Sequence, residues 1–358
     1  MTAGSGPDPR QRSPRILLIR RDNIGDLVCT TPLIAALRQR HPGAYIAALV
    51  NSYNRDVLDG NPTLDEVFDY TKGKHREPGT TLFATYAGRV RLFMAMRRRR
   101  FDFAVLAAPH FQPHALCFAR ASGARHVVGF VDGRGAARID HPVSYGSGAT
   151  LHEAEDVFRL GAPLGVSGEP PSARVFPQPA TLVRVRTALG ALPGGPVVAM
   201  HISARKPSQR WPAERYVEAM HELHRRGNAR FILLWAPGSD ANPMHPGDDE
   251  KAASVSREAG GLGLPLLSWP TARLPELVAA LAASDAVLCS DGGAMHLAAA
   301  LGRPIACLFG DSSPARWHPW ACPHVVLQSP GRVVDEVPVS AAVAAVMQLL
   351  EASRETGA

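Results

Sequence analysis

Short apolar runs alternate with amphipathic stretches along most of the chain, and the alternation predicts its elements. Residues 15–20, Arg-Ile-Leu-Leu-Ile-Arg, read as a buried parallel strand. A Gly-Asp turn follows, then a helical pattern through Leu33, Ile34 and Leu37 that stops at His41-Pro42-Gly43. Residues 45–50 predict a strand, 51–58 a helix and 67–70 a third strand. A helix over 89–100, rich in Arg, Phe and Met, runs into an apolar strand at 101–107, and 127–130 repeats the pattern. Such a βα succession implies a parallel sheet covered on both faces.

The character changes around residues 165–196, where Gly, Pro and Ser cluster. This segment reads as an interdomain linker carrying one short helix, 180–192. A second βα series follows, with strands at 197–202, 231–235, 264–267, 286–289 and 304–309. Its helices are expected at 212–226, 248–259, 274–283, 294–301 and 340–352. The organisation is therefore two α/β halves, 15–175 and 190–339, facing each other across a cleft, with a final helix and tail at 340–358. Parallel sheets bind ligands at the carboxyl ends of their strands, so the cleft is the expected site.

A length of 358 residues agrees with two domains at about 150 residues each. With 46% hydrophobic and 20% charged residues, the composition is that of a globular protein. No stretch reaches the roughly 18 unbroken apolar residues of a membrane helix. The polar first fifteen residues hold no signal-peptide core, which points to the cytoplasm. Five cysteines without a CxxC pair predict neither disulfides nor a zinc site. His221-Glu-Leu-His224 lacks the HExxH spacing, and His110 and His114 flank a proline on an apparent loop, so no metal site is expected.

The net charge of +7 comes from only four lysines among 39 basic residues. Arginine suits forked recognition of phosphate and carboxylate, which makes an anionic partner reasonable, although codon bias gives the same imbalance. The chain has neither a dinucleotide GxGxxG after its first strand nor a Walker lysine, and no nucleic-acid recognition motif.

Four segments at predicted strand ends can carry chemistry. Asp26, in Ile24-Gly25-Asp26, is either a helix N-cap or a carboxylate projecting into the cleft as general base. Ser290-Asp-Gly-Gly-Ala-Met-His296 places Gly292 and Gly293 at a strand-to-helix turn where phosphates can approach backbone N–H groups. His296 in the first helical turn is either a phosphate donor or a core residue, and Asp291 either a site or a turn residue. The loop after Met200 carries Ser203, Arg205, Lys206, Ser208, Gln209 and Arg210 before Trp211-Pro212, a phosphate clamp or a solvated loop. Residues 309–317, Phe-Gly-Asp-Ser-Ser-Pro-Ala-Arg-Trp, form a glycine turn at the same cleft edge.

Taken in order, the segments ILLIRRDNIGDLVCTTPLIAALRQRHP, SQRWPAERY and SDGGAMHLAAALGRPIACLFGDSSPARWHPW resemble the ADP-heptose:lipopolysaccharide heptosyltransferases of glycosyltransferase family 9. The resemblance covers roughly residues 15–350. It implies a GT-B fold of two Rossmann-like domains, the first holding the acceptor and the second the nucleotide sugar. It also implies inversion at the anomeric carbon with no required metal or other cofactor. Asp26 matches the proposed base; Asp291, Gly293 and His296, with Ser203 and Arg210, match the diphosphate-holding positions. Gly292 stands where the family usually has Thr or Ser. Gln209 stands where it often has lysine, leaving Arg205, Lys206 or Arg210 to supply charge. Asp248, Asp249 and Glu250 are candidates for a ribose-binding acid, with Glu250 chosen for the site.

The chemistry implied is consistent with the residues. A nucleotide diphosphate leaves once its charge is neutralised, so one base suffices, whereas a glycosidase needs a carboxylate pair. The acceptor implied is a phosphorylated or acidic glycolipid, with Arg120, Arg125, Arg134 and Arg138 as candidate contacts and peripheral contact with the inner membrane surface as an extension. Arg97–Arg100 read instead as favourable charge at a helix C-terminus. The alternatives are a relative using another nucleotide sugar and a non-catalytic sugar-nucleotide-binding protein.

Overall fold

The buried apolar runs become the strands of two parallel sheets in the computed structural model, which describes residues 12–71, 82–131, 136–145, 150–241 and 247–356. The first sheet holds β1 (Arg15–Ile19), β2 (Tyr45–Asn51), β3 (Glu66–Tyr70), β4 (Phe103–Leu106), β5 (His126–Val131) and β6 (His141–Ser144). The second holds β7 (Val197–His201), β8 (Arg230–Trp235), β9 (Leu266–Pro270), β10 (Ala286–Ser290), β11 (Ile305–Phe309) and β12 (His324–Gln328). Their orders, β3-β2-β1-β4-β5-β6 and β12-β11-β10-β7-β8-β9, are the same doubly wound order read from opposite edges. The order reverses between β1 and β4 and between β7 and β10. Ligands of such sheets bind at that crevice, and the motif-bearing loops leave β1, β7 and β10.

The helices of the first half are α1 (Ile24–Val28), α2 (Thr31–Arg40), α3 (Leu82–Arg98), α4 (Pro113–Ser122) and α5 (Glu153–Phe158). α6 (Pro179–Gly190) follows the linker. The second half holds α7 (Ala213–Gly227), α8 (Asp249–Gly261), α9 (Leu274–Ala282), α10 (Gly293–Ala300), α11 (Pro314–Trp317) and α12 (Val339–Thr356). Burying the central strands removes whole Ile, Leu and Val side chains from water, about 1.5–3 kcal/mol each. One apolar cluster continues from Ile16 and Leu33 of the first half to Leu297 and Phe309 of the second. The two halves are therefore in direct contact. On α12, Val343, Val346 and Leu350 join the cluster built on β7, β8 and β10, so this helix completes the second domain's core.

The structure departs from the sequence pattern at several points. Residues 51–58 are the end of β2 and a single 3₁₀ turn, Arg55–Leu58, rather than a helix. α4 replaces an apparent loop: Pro113 sits in its first turn, where a missing N–H costs nothing, and His114 is helical. The edge strands β6 and β12 escape the pattern because they are only half-buried, β6 alternating exposed and half-buried positions. Pro142 is tolerated in β6 because an edge strand has one unpaired side.

Candidate active site

On the first domain's side the site begins where β1 stops being apolar. Arg20, the next residue, is 1% exposed. Its Nη2 donates to Asp26 Oδ1 at 2.9 Å and to Glu153 Oε1 at 2.8 Å. Its Nε lies 3.2 Å from Asp22 Oδ2, and Nη1 donates to the Ala107 carbonyl. Asp26 occupies the third position of α1, where Oδ2 accepts from Asn23 N at 2.9 Å and Asn23 Nδ2 at 3.0 Å. The N-cap of α1 is Asn23, not Asp26; the Asp26 carboxylate supports that cap from the third helical position and also lines the cleft. Oδ2 is filled by its two bonds from Asn23, whereas Oδ1, bonded by Arg20, keeps a lone pair for a substrate proton.

On the second domain's side three loops converge. Gln209 is buried, and its Nε2 donates to Asp291 Oδ2 and Ser312 Oγ, both at 3.1 Å. Lys206 Nζ pairs with Asp311 Oδ1 at 3.1 Å, and Ser208 Oγ donates to the same oxygen. Asp311's carboxyl is held low by its hydrogen bond from Lys206. Ser203 Oγ accepts from Ala236 N at 2.9 Å, which leaves its proton free for a ligand. Gly292 and Gly293 open α10, so the helix presents N–H groups to the cleft. Behind them, burial pushes His201 down to about 4 and Lys251 down to about 8. The Lys251 ammonium donates to the Ile202 carbonyl at 3.1 Å.

His296 is where the domains touch. It is 4% exposed, with Nδ1 3.7 Å from Cys29 Sγ and its ring edge-on to Trp317. A β-carbon at Gly25 would fall 2.5 Å from His296 Cδ2, so glycine is needed there for close approach of α1 to α10. Burial holds the His296 imidazole below its ordinary range, opposed by Asp291 and Asp26. It is therefore a neutral ring near pH 7.

These elements enclose a cavity of about 390 Å³. Of the residues expected there, Asp26, Ser203, Lys206, Gln209, Asp291, Gly292, Gly293 and His296 line it, together with Arg205. Arg210 does not: its Nε bonds the Ala204 carbonyl and braces the loop from behind. Glu250 is exposed on α8 and outside the cavity lining. Its neighbour Asp249 instead accepts from Trp235 Nε1 at 2.8 Å and Gly238 N at 2.9 Å. Of the arginines expected at the acceptor, the three described ones lie elsewhere. Arg125 pairs with Asp102 at 3.6 Å beside the amino end of β4, the edge opposite the cleft. Arg120 is exposed in the last turn of α4, which runs back toward that edge. Arg138 is exposed just before β6, and Arg134 falls outside the described residues. The physical reason is direction: helices return antiparallel to the strands, so residues late in α4 arrive at the strands' amino ends.

Sequence reasoning missed Arg20, Glu153 and the cavity-lining Tyr53, and it held Arg316 only as part of the 309–317 turn, without a role. Glu153 is buried at the start of α5, and Arg316 on α11 of the second domain ion-pairs with it and, at 2.8 Å, with Asp156. A charge closing an apolar strand is the signal that could have found Arg20. Glu153 and Arg316 stand far apart in the chain and leave no such mark.

Two doubly wound parallel domains meeting at their switch points, with the cleft between them, make this a GT-B fold. Residues 89–333 match the family model described as "Glycosyltransferase family 9 (heptosyltransferase)", and the chain belongs to that family. It is 25% identical over 328 residues to lipopolysaccharide heptosyltransferase 2 of Salmonella typhimurium, covering 84% of each chain. It is 23% identical over 305 residues to lipopolysaccharide heptosyltransferase 3 of Escherichia coli, covering 83% of this chain and 84% of that one. Among solved structures, the glycosyl transferase family 9 protein of Veillonella parvula superposes with a TM-score of 0.81 at 18% identity, over 96% of this chain and 99% of that one. The E. coli ADP-heptose lps heptosyltransferase II gives 0.74 at 19% identity, over 95% and 99%. Membership makes the protein a glycosyltransferase of the heptosyltransferase kind. Among the described residues, no helix is long and apolar enough to cross a membrane.

Proposed function

We propose that the protein is an inverting glycosyltransferase that moves a heptose-like sugar from ADP-heptose, or a close nucleotide sugar, to a hydroxyl of a lipopolysaccharide core-type acceptor. The observation that carries this reading is the position of Asp26, which faces the Asp291–His296 turn across one cavity. Asp26 deprotonates the acceptor hydroxyl. The alkoxide attacks the anomeric carbon from the face opposite the diphosphate, and the glycosidic C–O bond to the diphosphate breaks with inversion. Charge developing on the leaving diphosphate is met by the N–H groups opening α10, the hydroxyl of Ser203, and the cations Arg205 and Lys206. These groups supply the neutralisation without requiring a metal ion or another cofactor. The neutral His296 ring can donate to a phosphate oxygen from the same turn.

The choice of ADP and heptose follows the relatives, one of which is an E. coli heptosyltransferase solved with ADP. A glycolipid acceptor brings the enzyme to an anionic membrane surface from the cytoplasmic side during its cycle. Replacing Asp26 with Asn separates chemistry from binding. Turnover is expected to fall by about 10²–10⁴, the usual worth of a general base, while ADP still raises the melting temperature by mass action. Undiminished turnover in Asp26→Asn would overturn the base assignment. A wild-type melting temperature indifferent to ADP, UDP and GDP would overturn the transferase reading itself.

A further inference from the structure

Behind Asp26 runs a chain of ion pairs that crosses from one domain to the other. Arg20 bonds Asp26 Oδ1 and Glu153 Oε1 with the same nitrogen. Glu153, 1% exposed in its side chain, accepts from Arg316 Nη2 on its other oxygen, Oε2. Arg316 Nη1 in turn bonds Asp156 Oδ2 at 2.8 Å and the Leu151 carbonyl at 3.2 Å. Asp156 also pairs with Arg159 at 3.0 Å. Arg20, Asp26, Glu153, Asp156 and Arg159 belong to the first domain; Arg316 alone comes from the second.

Resting on the reading of Asp26 as base, we propose that Glu153 and Arg316 are positioning residues for it. Arg316 completes, only when the domains are together, the ion-pair chain that sets the field on the Asp26 carboxylate and aims it into the cleft.

Charge balance carries the argument. Without Arg316, the first domain's cluster sets Arg20 and Arg159 against four carboxylates, Asp22, Asp26, Glu153 and Asp156. Carboxylates crowded in a poorly hydrated site favour taking up a proton. Among the described residues, Arg20 is the cation bonded to Asp26, and Glu153 competes for it through the same Nη2. Arg316 gives Glu153 a second guanidinium, so more of Arg20's field is left for Asp26. The other groups facing Asp26 are Asn23, the Cys29 thiol and His296, held neutral by burial, and, across the cavity, Asp291, Arg205 and Lys206. Arg205 and Lys206 lie on the donor side of the cleft and make no bond to Glu153, whose cations are Arg20 and Arg316.

The geometry adds a second effect. Separating the domains breaks the Arg316 pairs and the neighbouring bond between His152 Nε2 and the His318 carbonyl together. The base is then fully prepared only in the state that aligns acceptor with donor, which limits deprotonation when no donor domain is docked.

The test uses the full-length protein and three variants, Arg316→Met, Arg316→Lys and Glu153→Gln. Arg316 is partly exposed on a short helix, so its replacements leave the core packing intact. The Asp26 carboxyl is titrated by ¹³C NMR on aspartate-labelled protein, its signal assigned by its loss in Asp26→Asn. In Arg316→Met the Asp26 pKa is expected to rise by about 0.5 or more, the size one charge several ångström away exerts through a half-hydrated protein. The acid limb of kcat moves up with it, and kcat near neutrality falls about tenfold while the ADP Kd by calorimetry stays within about twofold. Arg316→Lys restores the acid limb toward wild type. Glu153→Gln removes the competitor for Arg20, so its Asp26 pKa falls and further loss of Arg316 no longer raises it.

An Asp26 pKa unchanged in Arg316→Met overturns the proposal. So does a fall in kcat with an unmoved acid limb, which would mark Arg316 as a plain interdomain latch. If the wild-type protein transfers no sugar, the transferase reading fails by itself, and the Asp26 titration still decides whether Arg316 acts on that carboxyl.

Discussion

Replacing Gly25 with alanine adds one methyl group where α1 and α10 of the two domains pack closely. The added carbon falls 2.5 Å from His296 Cδ2 and 3.1 Å from Nε2. That is about 1 Å inside the 3.5–4.0 Å at which carbon atoms attract. His296 cannot swing aside, because Cys29 holds one edge of the ring and Trp317 lies against it. In a single rigid core such overpacking costs about 1–3 kcal/mol. Here α1 and α10 belong to different domains, so a parting of about 1 Å relieves most of that energy. The melting temperature should therefore drop by only about 3 °C or less, since about 1 kcal/mol corresponds to 2–4 °C in domains of this size. Turnover should suffer far more, since a 1 Å misplacement of reacting groups costs about 10²-fold. Initial rates at saturating donor, calorimetry with ADP and a melting curve make the assay. The expected variant binds ADP normally, melts nearly normally and turns over at least about tenfold more slowly. A Gly25→Ala protein with wild-type kcat would refute the reasoning, as would one whose ADP binding fell as much as its turnover.

Three further outcomes follow from the same structure. His152 uses both ring nitrogens in its neutral form, Nδ1 accepting from Ala154 N at 3.0 Å and Nε2 donating to the His318 carbonyl at 2.8 Å. Burial pushes it down to about 3, below the roughly 6.5 of the unfolded chain, so the unfolded state binds the extra proton and stability falls as pH drops below about 6.5. Urea unfolding at pH 7 and pH 5 should show His152→Gln losing up to about 2 kcal/mol less than wild type between the two. Gln209→Lys places an ammonium beside Asp291 and the cleft; ADP should bind about three- to tenfold tighter at low salt by calorimetry, with much of the gain lost at high salt. Thiol labelling at pH 8 should modify the exposed Cys117 in the folded protein. Buried Cys29, Cys289 and Cys307, whose thiols burial pushes up, should react only after unfolding.

The central strands and the loops leaving them were legible because buried parallel strands are written as unbroken apolar runs, as in Ile16–Ile19 and Val197–Met200. Gly292 and Gly293 were legible for a related reason: a strand-to-helix turn with two glycines is a local pattern. What the sequence hid was of two kinds. β6 and β12 are edge strands with mixed burial, so their period carries little signal. Residues that meet only by tertiary docking carry none: Glu153 and Arg316 are 163 positions apart. The acceptor expectation failed at Arg120, Arg125 and Arg138 for want of direction, since sequence order puts Arg125 near a sheet edge but does not say which edge. Glu250 and its neighbour Asp249 both lie outside the cavity lining, Asp249 being taken up by Trp235 and Gly238, a placement that depends on how the segment before α8 folds rather than on local pattern.

Asp26 both receives the amide hydrogen of Asn23 and balances Arg20. If the proposed base takes a proton in each cycle, it does so with the carboxylate that also holds these two partners. The same group that would carry the chemistry thus fixes the start of the five-residue helix α1 and the place of Arg20, so a substitution that removes it disturbs helix, guanidinium and reaction together.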